Sequence, residues 1–231
     1  MTQELGRISR PSVSQYEGRR ILLMVPLLYG PSVESEEGLA ILQSYWDQMQ
    51  AQVASLQSAL GGLHHLYHES LPLGGDEGLS QLEVRDQRSH GFIANKCGDG
   101  AMLEATESAE LLAESLDLQR CLMMPLASEK VALQLQEWFT SNNRERYEHI
   151  SRQIDETLRP SQVGLLLISE RHQVQFPEDI EVFYIAPPAL DEFRRWLQNW
   201  ISEQQSAATH ADGPGLETED HGSQETPDSS T

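Results

Sequence analysis

Apolar residues in this chain fall into short blocks and stripes with distinct periods. The run RILLMVPLL (20–28) is almost continuously apolar and is followed by Tyr29-Gly30-Pro31. That pattern predicts a parallel strand buried on both faces. Pro26 inside it predicts that pairing ends there or that the strand is locally irregular. Over 35–60, Leu39, Leu42, Trp46, Met49, Val53, Leu56 and Leu60 recur every three or four positions. This is an amphipathic helix, ended by Gly61-Gly62. LHHLYHES (63–70) reads as a second strand. After Gly74-Gly75 a helix starts at Asp76, with acids in its first turn where the dipole favours them, and runs to about Asn95.

A short third strand (101–106) leads into a helix over 107–118, with Thr106 as its expected cap. From Ser128 to Leu158 there is no Gly or Pro. One stripe there holds Val131, Leu135, Trp138, Asn142, Arg146, Ile150, Ile154 and Leu158, apolar at both ends and polar in the middle. It fits one long helix with a polar patch, or two helices meeting near residues 141–143. Pro160 stops it. VGLLLIS (163–169) and IEVFYIA (180–186) are strands, and 190–201 is a closing helix that buries Phe193 and Trp196. The alternation implies an α/β fold with a mainly parallel sheet of about five strands covered by helices.

Composition sets the limits of the domain. Hydrophobic residues make up 39% of the 231 positions, and few lie at the ends. Residues 204–231 contain no aromatic residue, Lys or Arg, so they read as a disordered acidic tail. Residues 1–19 read as a polar extension and 20–203 as a single α/β domain. The formal charge is −20, of which the tail supplies six acids, leaving −14 elsewhere. A surface of that sign repels phosphates, so no nucleic-acid partner is expected. No apolar run reaches the roughly 18 residues of a membrane span. No apolar leader follows Met1, so neither a membrane association nor a signal peptide is expected. Cys97 and Cys121 are widely spaced with no C-x-x-C, as in a reduced, cytoplasmic protein.

In open α/β sheets ligands bind beyond the carboxyl ends of the strands. The polar residues expected there include Tyr29, His68, Glu69, Ser70, Glu104, Thr106, Ser169, Glu170, Arg171 and His172. Two histidines with several carboxylates are the material of a general acid–base pair or a metal site. Geometry restricts this. His68 and Glu69 are adjacent in an extended chain and point to opposite faces unless the chain turns. His64 and His65 read as edge or surface residues. Arg146 lies in an otherwise apolar stripe, so a buried Arg146 needs a carboxylate, which Glu69 or Glu104 could supply. The glycine turns PLGGDEG and GPSVESEEG place acids where phosphate would sit, and there is no G-x-G-x-x-G or Walker lysine. Nucleotide binding is therefore disfavoured. There is no G-x-S-x-G elbow either.

The segment RERYEHISRQIDETLRPSQVGLLLISERH (144–172) resembles the C-terminal part of the TraB/PrgY-like and erythromycin esterase/ChaN-like superfamily. There, an Arg-rich helix with spaced apolar positions leads into a strand ending in G-x-x-H. Arg144, Arg146, Ile150, Ile154 and His172 match, but Ser169 stands where the glycine is expected. The earlier G-x-x-H is also missing, its nearest analogue being YHES. The resemblance implies a site built from His68, Glu69, Glu104, Arg146 and His172. Its character would be hydrolase-like, or that of a small-molecule or metal site. The competing expectation is a non-catalytic protein whose acidic body and tail bind a basic partner.

Overall fold

A computed structural model describes residues 18–28 and 35–211. Five strands form one all-parallel sheet in the order β3-β2-β4-β1-β5. They are β1 (Arg20–Leu27), β2 (His65–His68), β3 (Met102–Leu103), β4 (Val163–Ser169) and β5 (Ile180–Tyr184). The helices among the described residues are α1 (Glu36–Leu60), α2 (Gly75–Arg85), α3 (Gln87–Gly98), α4 (Ala109–Leu122), α5 (Glu129–Thr157) and α6 (Pro188–Ala211). The expected α/β architecture is what the chain adopts.

β1 and β4, the most apolar strands, lie inside the sheet, while the polar-flanked β3 and β5 take its edges. Leu23, Val25, Leu165 and Leu167 point to one face, where they pack with residues of α1, α2, α3 and α6. Leu22, Leu166 and Ile168 point to the other face, packed by Ile150 and Ile154 of α5 and by Val174. β1 continues past Pro26 to Leu27, paired to β4 from Ile21 onward. Its pairing with β5 stops at Met24. Alternate residues of a parallel strand bond to alternate neighbours. The Met24 carbonyl accepts from Ile185 of the β5 segment, so the missing N–H of Pro26 points to the side where β5 has already ended. The Pro26 carbonyl is met instead by the Tyr45 hydroxyl of α1, at 2.5 Å.

Three local expectations differ from the structure, and the alternative of one or two helices over 128–158 resolves to one. Asp86 divides the region after Gly74 into α2 and α3, because its carboxylate accepts from the Arg88 and Ser89 amides and caps the second helix. Ser108, not Thr106, caps α4, since the Thr106 hydroxyl accepts the otherwise unpaired His68 amide beyond the end of β3. α5 is a single helix of 29 residues capped by Ser128. The boundary placed at Gln204 falls inside α6, which runs to Ala211. The rest of the acidic tail, Tyr29 and most of the N-terminal extension lie outside the described residues.

At the start of α2, a Cβ added to Gly74 would lie 2.7 Å from the Leu103 carbonyl oxygen and 3.0 Å from the Ala105 nitrogen. Both obstacles are backbone, so neither can rotate away. Gly74→Ala is expected to cost about 1–3 kcal/mol, as overpacking does, while Gly91→Ala, which meets open space, should not destabilise. Urea titrations of the two variants check the contrast.

Candidate functional site

The carboxyl end of β2 turns sharply at Ser70, whose φ is 77°. The strand's alternation therefore delivers His68 and Glu69 to different surroundings. His68 is buried, and its Nδ1 donates to the Glu69 carbonyl oxygen. Its Nε2 has no hydrogen-bond partner among the described residues. Burial pushes this imidazole down to about 4, with the Glu69 carbonyl opposing only part of the shift. His68 is thus a neutral core histidine.

Glu69 is also buried, but its Oε2 accepts from the Ser169 hydroxyl at the end of neighbouring β4, at 3.1 Å. Its charge reaches Arg146 and Tyr147 of α5. Burial first, and then Glu69, raises the Tyr147 phenol above its ordinary value.

Arg146 is largely but not fully buried at this end of the sheet, and its hydrogen-bonded carboxylate is Glu107 rather than Glu69 or Glu104. Its Nε donates to Glu107 Oε2 at 3.2 Å, and its Nη2 donates to Glu107 Oε1. Its Nη1 donates to Ser115 Oγ at 3.4 Å and to Asn143 Oδ1 at 3.3 Å. The Glu107 side chain has no exposure to solvent. Burial opposes the charge on Arg146, but the Glu107 hydrogen bonds and charge outweigh it, so the guanidinium is held more firmly than usual. One turn away, Asn142 Nδ2 donates to the Leu111 carbonyl and to Glu114, each at 3.1 Å. The polar centre of the α5 stripe is therefore the lock between α5 and α4.

Glu104 and His172 stand apart from this cluster. The Glu104 carboxylate accepts from His65 Nδ1 at 2.7 Å. The other ring nitrogen of His65 faces Gln162 Oε1 at 3.1 Å, and the ring stacks on Tyr67. His65 is buried because β2 lies between β3 and β4, not at an edge. His64 is exposed as expected, with its Nδ1 accepting from the Val163 amide. His172 is half-buried, accepts from the Val174 amide and lies against the Phe176 ring. Burial lowers its pKa. Of the five residues singled out by sequence, the structure gathers Glu69 and Arg146. It adds Glu107, Ser169 and Tyr147 to them.

Beside Ser169 a cavity of about 350 Å³ opens at the carboxyl ends of β1 and β4. Leu27, Leu28, Phe193 and Leu197 line it, and Ser169 and Arg171 provide polar groups. Arg194 is held by Glu170 and Asp191. Arg171 is exposed and makes no ion pair among the described residues. β1 leads into α1 on one face of the sheet, while β4 leads into the segment 170–179 on the other. The cavity thus sits where the connections of neighbouring strands part, the usual ligand crevice of an open α/β sheet. Among the described residues no group of three His, Cys, Asp or Glu side chains is arranged to hold a metal ion. No described helix is long and apolar enough to cross a membrane. No family model, curated protein or solved structure matches this chain.

Proposed function

We propose that this protein binds a small amphipathic acid in the crevice at the carboxyl ends of β1 and β4. The observation that carries the reading is the cavity itself. Its floor is apolar (Leu27, Leu28, Phe193, Leu197), and its polar wall holds Ser169, the Glu170–Arg194 pair and Arg171, which makes no ion pair among the described residues. The alkyl part of the ligand lies on the floor, and its carboxylate meets Arg171. Glu69 and the Arg146–Glu107 pair form a rigid polar backing behind Ser169. The resemblance of residues 144–172 to the TraB/PrgY-like group points to the same end of the sheet. A hydrolase-like activity would use Glu69, hydrogen-bonded to the Ser169 hydroxyl, as the proton acceptor.

Calorimetric titration with decanoate tests the reading. Binding to the wild-type chain is expected, weakened roughly tenfold or more in Arg171→Ala, since charge-assisted hydrogen bonds contribute about 1.5–3 kcal/mol. Leu197→Asp should abolish it. Absence of heat with decanoate, or equal binding by both variants, contradicts the proposal. The competing reading, a non-catalytic protein that engages a basic partner, predicts that no acid binds in the crevice.

A further inference from the structure

α4 and α5 form a hairpin of which only one end is anchored. In α5 the buried residues are Asn142, Ile150 and Ile154, and in α4 only Ser115 is buried. The first 13 residues of α5, 129–141, therefore lie clear of the core, a length of about 20 Å at 1.5 Å per residue. The outer end of the hairpin is apolar. Met123 is 86% exposed, Met124 65%, Leu133 60% and Trp138 56%, and Val131 and Leu116 are also exposed. Leu133 points away from the side of α5 that carries Val131 and Trp138; together with Leu126, the other side chains leave on the order of 600 Å² in water, approaching the roughly 800 Å² that each partner gives to a standard specific interface. That is at the upper end of the largest apolar patch a soluble monomer exposes, and patches of that size often carry function.

We propose that this hairpin end docks against the same element of a second copy of the chain, forming a four-helix bundle about a two-fold axis. Charge selects the occupant. Residues 116–138 contain three acids and two bases, in a chain with a formal charge of −20. A surface built to meet a basic partner would carry the acidity found elsewhere on this protein. A nearly neutral apolar end is instead where two equally acidic molecules can meet with least repulsion. The two bodies are then held apart by the length of the hairpins, well beyond the screening length of about 8 Å at physiological salt. Two antiparallel helix pairs are the standard components of a four-helix bundle, and a two-fold axis is the commonest symmetry of soluble assemblies.

Light scattering of the purified full-length chain is expected to give twice the 26.0 kDa of one chain. Trp138→Glu and Val131→Glu, both at exposed positions on one side of α5, should each give a single-chain mass with an unchanged far-ultraviolet circular dichroism spectrum. A second measurement uses Cys121, which is exposed near the hairpin end. A short bis-maleimide should link two chains in the wild type and none in Cys121→Ser. A wild-type mass of one chain overturns the proposal. So does a doubled mass that survives both glutamate substitutions, because the contact then lies on another face.

Discussion

Replacing Glu107 by Gln is expected to destabilise the protein by about 3–5 kcal/mol, the usual cost of removing one partner from a buried ion pair. Arg146→Met should cost a similar amount. The Glu107 side chain has no contact with solvent, and that of Arg146 is 11% exposed. Arg146→Met thus strands a carboxylate with no exposure to solvent, and Glu107→Gln strands a guanidinium that water reaches only at its edge. In a domain of this size such a loss lowers Tm by on the order of 10 °C. The pair of substitutions Glu107→Met and Arg146→Met should recover most of the loss, since an apolar pair of similar volume leaves no orphan charge. A double-mutant cycle by urea denaturation checks this. Single-variant losses below about 1 kcal/mol would show that the pair is hydrated and does not lock α5 over the strand ends.

His68 is expected to make stability fall in mild acid. Its folded pKa is about 4, against 6.5 for the free side chain. Between these values the unfolded chain binds a proton that the folded one refuses. The contribution is therefore complete above about pH 6.5 and is lost as the pH falls towards 4. The difference corresponds to about 3 kcal/mol as an upper figure, at 1.36 kcal/mol per pKa unit. Burial is the cause, and the Glu69 carbonyl and the negative charge of Asp86 offset part of it. Subtracting the stability–pH curve of His68→Gln from that of the wild type isolates this histidine from the many carboxylates. The difference should slope between pH 6.5 and 4. A flat difference would mean that the folded protein accommodates a charged imidazole at this position.

These two residues mark where the sequence could and could not be read. The sheet was legible because its apolar runs are short, dense and separated by helical stripes. The position of Arg146 was legible as an oddity, a cation in the stripe that continues into Ile150 and Ile154. Its partner was not. Glu107 and Glu104 are three residues apart on either side of a chain turn. Which one meets α5 depends on where β3 stops, and β3 has only two residues. An N-cap signal was available: Ser108, with α4 starting at Ala109, places Glu107 just outside the helix and facing α5. His65 was misread for a similar reason. Its burial follows from strand order, with β2 flanked on both sides, and strand order is not written in local pattern. Ser169 carried no local signal beyond its position at a strand end. Its relation to Glu69 emerges only when β2 and β4 pair, with His68 opposite Leu167.

The Ser169 crevice gives this reading its functional content, and it can be probed residue by residue. A two-dimensional ¹H–¹⁵N correlation spectrum recorded during titration with decanoate reports each amide separately. The account predicts shift changes concentrated at Leu27 and Leu28, at Ser169 to Arg171, and along Phe193 to Ile201. Residues 116–138 of the hairpin should stay unmoved. No response at Ser169 to Arg171, or a response confined to the hairpin, would contradict it.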